Sequence, residues 1–297
     1  MEPEIITVGL DGSAESLAAA QWAADEADRR HFVLRLLHAW ILLAAEAADT
    51  PPDRDQNAGA RRIVRQALEV VRERHPHLQI IEDLVGSEAE PALLRAAGES
   101  RMTVLGSRAL GTLGSYVFGD VSLGVVGRAD GPVVLVRGGG RAQPDRAESA
   151  GPPNGPGSRV VVGMSLNGPC EPLLAFAFDA ALSRGLPLQV VHGRPLPVQA
   201  YAPWGVDPDA ATEAAKDADG ELRDVIGPWR ARFPDVPVEL TVLTESATRA
   251  IVQTAPGAEL LAVGRRRHRR FLAPRVGPVA HAAIHHATCP VAMVPHD

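Results

Sequence analysis

Residues 4–13, Glu-Ile-Ile-Thr-Val-Gly-Leu-Asp-Gly-Ser, decide the fold. A run rich in β-branched side chains enters a glycine-bearing turn, and Ser13 stands where a helix N-cap belongs. Downstream, Leu17, Ala20, Ala24 and Ala27 recur at helical spacing, with Asp25, Glu26 and Asp28 toward the other side. Strand, tight turn and amphipathic helix make the first half of a βαβ unit. The alternation continues, with strands expected near 4–10, 33–40, 79–85, 102–106 and 132–137 and a second helix marked by Ile63, Ala67, Val70 and Val71. Such alternation predicts a parallel sheet, and right-handed crossovers put helices on both of its faces.

The same design returns further along. Thr7-Val8-Gly9 reappears as Val161-Val162-Gly163, and Leu36-Leu37-His38 as Val190-Val191-His192, both 154 residues on. Val104-Leu105-Gly106 matches Ala262-Val263-Gly264, and the run from Gly131 to Val136 matches the run from Cys289 to Val294, both 158 residues on. A repeat of about 140 residues is a duplicated domain, too long for a solenoid unit. Residues 138–158, rich in Gly and Pro, hold almost nothing to bury. The expected organisation is therefore a domain over 1–138, a linker over 139–157 and a second domain over 158–297. In the second copy Pro169 suits a first helical turn, and Leu173, Phe176, Ala177 and Ala180 form the expected buried stripe.

Composition removes several function classes. In 297 residues, an apolar share of 45% supplies two cores, and a net charge of −6 leaves no electrostatic case for nucleic acid or a membrane surface. Lys216 is the only lysine, so no G-x-x-x-x-G-K-[ST] phosphate loop exists and Walker-type ATPases are excluded. Cys170 and Cys289 form no C-x-x-C pair, and the acidic start does not read as a secretion signal, so a reduced, cytoplasmic setting is expected. The longest apolar run, Leu36 to Ala45, falls short of the roughly 20 residues that cross a bilayer.

Open parallel sheets bind ligands beyond the carboxyl ends of their strands, where the strand order reverses. The segments to inspect follow strands one and four: Gly9 to Ser13, and the glycine-rich stretch from Gly106 to Ser122, whose helix N-terminus could hold an anion.

The ordered set Val8-Gly9-Leu10-Asp11-Gly12-Ser13, Leu37-His38-Ala39-Trp40, Val104-Leu105-Gly106-Ser107-Arg108 and Pro132-Val133-Val134-Leu135-Val136, echoed in the second copy, resembles the universal stress protein family in its tandem two-domain form. The resemblance implies two flavodoxin-like (adenine nucleotide alpha-hydrolase-like) domains, each with five parallel strands ordered 3-2-1-4-5. It also implies a stress-response regulator that binds ATP or a related adenine nucleotide, mainly in domain 1. In the family's ATP-binding branch the loop reads G-x2-G-x9-G-[ST], with an aspartate after strand one. Carried over, Asp11 and the backbone at Ala39 would address base and ribose, while Gly106, Arg108, Gly119 and Ser122 would frame the phosphates.

Two departures bear on that reading. Ala109 replaces the loop's second glycine and Asp120 its hydroxyl residue. A carboxylate at the helix entrance either caps the N–H groups itself, repelling a phosphate by about 3 kcal/mol at about 5 Å, or joins it through a bridging Mg2+. No residue supplies the general base of a fast phosphohydrolase, so no catalytic residue is assigned and at most slow ATP hydrolysis is expected.

Copy two departs further, with Ser165 in place of Asp11, Arg267 in place of the second glycine and Pro278 in place of the hydroxyl residue. Copy one holds 14 basic and 20 acidic residues, copy two 14 of each, so the run Arg265-Arg266-Arg267-His268-Arg269-Arg270 is a local cationic feature. It is either an anion-gripping loop, centred on Arg265, Arg266 and Arg267, or a solvated charge run. The near-motif Gly163-Met164-Ser165-Leu166-Asn167 lacks the last glycine of a nucleophile elbow. His281, His285 and Cys289 have a spacing that can hold zinc, but Pro290 begins a strand and should make them diverge, so no metal is assigned. A homodimer is expected, with Val133 to Val136 as core strand or as a pairing edge. The alternative to nucleotide binding is a stress-linked scaffold or dimerisation module whose loops no longer hold nucleotide.

Overall fold

A computed structural model describes residues 3–41, 56–109, 116–117, 120–138, 158–168, 170–196, 201–202, 205–206, 208–267 and 276–297. The chain divides into two compact units, Met1–Ala142 and Gln143–Asp297.

In unit 1 the elements run β1 (Ile5–Gly9), α1 (Ala14–Arg30), β2 (Val33–Trp40), α2 (Gln56–Arg74), β3 (Ile80–Gly86), α3 (Ala89–Gly98), β4 (Met102–Ala109), β5 (Tyr116–Val117), α4 (Asp120–Arg128) and β6 (Val133–Arg137). Parallel pairs order the sheet β3-β2-β1-β4-β6, the expected 3-2-1-4-5, while β5 pairs antiparallel with β4. Ile6, Thr7 and Val8 are all fully buried because helices cover both faces, so β1 reads as a continuous apolar run rather than an alternating one. Val133 to Val136 are likewise buried core.

Helix α1 begins as expected. Ser13 is its N-cap, and its Oγ accepts the N–H of Ser16 at 3.1 Å. Ala20, Ala24 and Ala27 are buried with Ser16, Ala19 and Ala23, but Leu17 is only half-buried, and Glu26, expected toward the other side, is buried with its carboxylate held by Arg29 and Arg30. Small residues there let the helix axis lie close to the sheet. The helix stops at His31, held left-handed at φ 57, whose N–H reaches the carbonyls of Ala27 and Asp28.

Unit 2 runs β7 (Arg159–Gly163), α5 (Glu171–Arg184), β8 (Leu188–Gly193), β9 (Tyr201–Ala202), β10 (Gly205–Val206), α6 (Pro208–Arg232), β11 (Val238–Leu243), α7 (Ala247–Thr254), β12 (Ala258–Arg266), α8 (Pro278–His286) and β13 (Val291–His296). Its parallel strands are ordered β11-β8-β7-β12-β13, and β9 and β10 form a separate hairpin. Gly185 at φ 62 ends α5 where His31 ends α1. The expected stripe on α5 is shifted: Leu173, Ala177 and Ala180 are buried, but Phe178 takes the place expected for Phe176. Phe178 is fully buried because α6 packs over it, with the Trp229 and Phe233 rings at 5.7 and 5.2 Å. Pro172 occupies the first turn of α5, while Pro169 lies outside the described residues.

Candidate functional site

In unit 1 the chain builds β2 and β3 on one side of β1, then β4 and β6 on the other, so the order reverses between β1 and β4. The carboxyl ends of β1, β2 and β4 meet at that crevice. Asp11 follows β1 and is exposed. Its Oδ1 accepts the Ser13 N–H at 2.9 Å and the Ser13 hydroxyl at 2.5 Å, closing an Asx turn that leads into α1. Ala39 lies on β2 two residues past Leu37, the last partner of β1, so its peptide overhangs the end of β1.

Gly106 sits on β4 one residue past Leu105, the partner of Gly9. A Cβ at Gly106 would stand 2.5 Å from the Glu15 carbonyl carbon and 2.7 Å from the Ser16 nitrogen. The absent side chain is therefore space already taken by the first turn of α1, a packing role that the loop pattern did not disclose.

The rest of the expected phosphate frame is partly described. Arg108 and Ala109 continue β4, opposite Val117 and Tyr116 of β5. Ala109 is thus in extended backbone, and no positive φ calls for glycine there. Asp120 is the first helical residue of α4 and Ser122, half-buried, lies in the same turn. Gly119 lies outside the described residues.

The residues present suit an adenine nucleotide at the base and ribose end. An exposed carboxylate can accept from an amine or a sugar hydroxyl, and an overhanging peptide can pair with a heterocycle edge. At the phosphate end the described donors are the first turn of α4 and Ser122.

Unit 2 keeps the turn and changes its charge. Ser165 is exposed, and its Oγ accepts the Asn167 N–H at 3.2 Å, the same i to i+2 closure that Asp11 makes. Cys170, just before α5, donates its Sγ–H toward the carbonyls of Gly168 and Ser165 at 3.5 and 3.6 Å. Burial pushes its thiol pKa up, while the backbone contact at Ser165 and the Arg266 charge pull the other way. The arginine run does not form one face. Arg265 and Arg266 extend β12, Arg265 is buried, and Arg266 and Arg267 are exposed. Period-2 alternation sends the first two to opposite sides. The Arg267 N–H is spent on the His296 carbonyl at 2.8 Å. Pro278 opens α8 after Gly277.

His281 and His285 do come together, with ring centroids 4.2 Å apart, while Cys289 is buried beyond the helix end. Among the described residues no three His, Cys, Asp or Glu side chains converge on a metal position, and no helix is long and apolar enough to cross a membrane.

The residues that sequence reasoning missed are His38 and His192. The Nδ1 of His38 pairs with the Leu10 carbonyl at 2.8 Å, and that of His192 with the Met164 carbonyl at 3.0 Å. The available signal was a histidine at the same place in two mostly apolar strands.

These features define a tandem α/β protein with a topological switch point in the sheet of its first unit. Comparison with known proteins gives the family. The model of the universal stress protein family matches residues 3–137 and 158–295. The chain is 31% identical over 296 residues to universal stress protein Rv2005c of Mycobacterium tuberculosis (strain ATCC 25618 / H37Rv), spanning 96% of this chain and 95% of that protein. It is 29% identical over 322 residues to universal stress protein Rv1996 of the same strain, spanning 98% and 96%. Among solved structures, a universal stress protein from Archaeoglobus fulgidus DSM 4304 superposes with a TM-score of 0.69 at 14% identity over 100% of both chains, a likeness of fold. The chain belongs to the universal stress protein family.

Proposed function

We propose that the protein is a stress-response regulator whose first domain binds ATP or a related adenine nucleotide, and whose second domain is degenerate for that ligand. The observation that carries this reading is the meeting of Asp11, the Ala39 peptide and Gly106 at the carboxyl edge where the strand order of unit 1 reverses. Asp11 and Ala39 take base and ribose; Arg108, Gly119 and Ser122 frame the phosphates, and Mg2+ offsets the charge of Asp120. In domain 2 Ser165 replaces the acid and a helix-entrance N–H is lost to Pro278. Domains over 1–138 and 158–297, joined by a linker over 139–157, a homodimer and a cytoplasmic setting complete the reading. The protein binds rather than turns over its ligand, with slow ATP hydrolysis as the upper limit.

The test is denaturation of the purified full chain with chromatography of any released adenine nucleotide, followed by ATP titration with and without Mg2+. Binding weakened at least about tenfold by Asp11→Ala, as loss of a charged hydrogen-bonding group implies, supports the site. An affinity untouched by Asp11→Ala refutes it. Asp120→Ser should strengthen Mg2+-free binding. A chain that binds no nucleotide in either form is the scaffold of the alternative reading. The exposed Arg266 and Arg267 support an anion contact in domain 2, read as a salt-dependent affinity for polyphosphate that Arg266→Ser and Arg267→Ser abolish.

A further inference from the structure

The reading above makes Asp11 and the Ala39 peptide the groups that meet base and ribose, and the Leu10 carbonyl beside them is held by a histidine. Between β1 and β2 the ladder runs from the Val33 N–H to the Glu4 carbonyl at 2.9 Å, up to the Leu10 N–H on the Leu37 carbonyl at 2.8 Å. Parallel alternation would put the next rung from the Ala39 N–H to the Leu10 carbonyl. That carbonyl pairs instead with Nδ1 of His38 at 2.8 Å, and β1 ends at Gly9 while β2 runs on to Trp40. A carbonyl accepts only, so Nδ1 carries the proton.

Unit 2 repeats the arrangement. The Met164 N–H meets the Val191 carbonyl at 2.9 Å, and the Met164 carbonyl takes Nδ1 of His192 at 3.0 Å. There too β7 stops at Gly163 while β8 continues to Gly193. The neighbouring positions have changed, Asp11 to Ser165 and Ala39 to Gly193, yet the ring still caps the same carbonyl.

We propose that His38 is a positioning residue for the ligand of domain 1, an inference that rests on the nucleotide reading. By taking the Leu10 carbonyl out of the ladder, the imidazole fixes the entry to the Asp11 turn and leaves the Ala39 N–H facing the crevice as a donor to a heterocycle nitrogen. His192 does the same for the Ser165 turn and the Gly193 N–H, so domain 2 keeps a preformed peptide donor although its acid is gone.

The experiment compares His38→Ala and His38→Asn in the full chain. Asparagine carries an N–H on the atom bonded to Cγ, as Nδ1 is, and so keeps the donor. In His38→Ala the Ala39 N–H closes on the Leu10 carbonyl, so its amide exchange slows and the Kd for ATP rises about tenfold, the scale of one lost hydrogen bond. His38→Asn retains native exchange and affinity. In an Asp11→Ala background the added loss from His38→Ala is smaller than in the native chain, because the two act on one ligand end. Nitrogen NMR of the native ring shows Nδ1 protonated. Unchanged Ala39 exchange in His38→Ala, a proton on Nε2 alone, or equal losses with and without Asp11 would each overturn the proposal. If ATP does not bind at all, the function reading fails, while ring tautomer and Ala39 exchange still decide whether the clip exists.

Discussion

Replacement of Gly106 by alanine separates packing from ligand contact at the first glycine of the loop. The added Cβ would stand 2.5 Å from the Glu15 carbonyl carbon, 2.7 Å from its oxygen and 2.7 Å from the Ser16 nitrogen. Unstrained carbon contacts lie at about 3.5–4.0 Å, so the first turn of α1 must move off β4 by about 1 Å. All three atoms are backbone, and no rotamer change relieves them. Overpacking of this kind costs about 1–3 kcal/mol, and backbone contact puts Gly106→Ala toward the top of that range. Urea unfolding followed by circular dichroism should show an earlier midpoint for unit 1 with little change of slope. Gly59→Ala is the control: it lies in α2 with nothing within 4 Å of its Cβ position. It should gain about 0.5–1 kcal/mol from helix propensity. A Gly106→Ala protein within about 0.5 kcal/mol of native stability that nonetheless loses ATP would refute the packing account and return the glycine to the ligand.

Two further expectations use other parts of the fold. Ser13→Ala removes the cap of α1 and one of the two donors to Asp11 Oδ1, so it should cost about 1 kcal/mol in thermal or urea unfolding and also weaken ATP binding; loss of stability alone would detach the cap from the site. Cys170 has its pKa raised above the ordinary 9.0 chiefly by burial. Its folded form therefore favours the neutral thiol, and the stabilisation is complete below the unfolded pKa and lost as pH climbs through the folded one. The gap in urea midpoint between native and Cys170→Ala should narrow from pH 7 to pH 10, and a gap that widens contradicts the burial.

Much of the architecture was legible because period carries it. β-branched runs and helical stripes gave the element order, and the offsets of 154 and 158 gave the duplication. Phase within a helix was harder. Phe176 and Phe178 are both apolar, and only the seating of α6 over α5 buries the second rather than the first. The end of α1 was hidden because the left-handed cap is His31, where Gly185 marks the same place openly. At the site, Asp11 was legible from its turn. The meaning of Gly106 was not, since a residue missing for the sake of a neighbouring helix leaves the same letter as one missing for a phosphate. His38 was opaque for a related reason: a lone histidine in an apolar strand says nothing about which carbonyl its ring will meet.

The glycine on the fourth strand of each copy stays for a different neighbour. Gly106 makes way for the backbone of α1, whereas a side chain at Gly264 would collide with the His296 imidazole at 2.5 Å. A glycine can therefore outlast the ligand its loop once served: at Gly106 a debt to backbone resists replacement, whereas at Gly264 the neighbour is a side chain that can turn away. The informative letter is the one that owes nothing to the scaffold, and between the two copies it is the exchange of an acid for a hydroxyl just past the first strand.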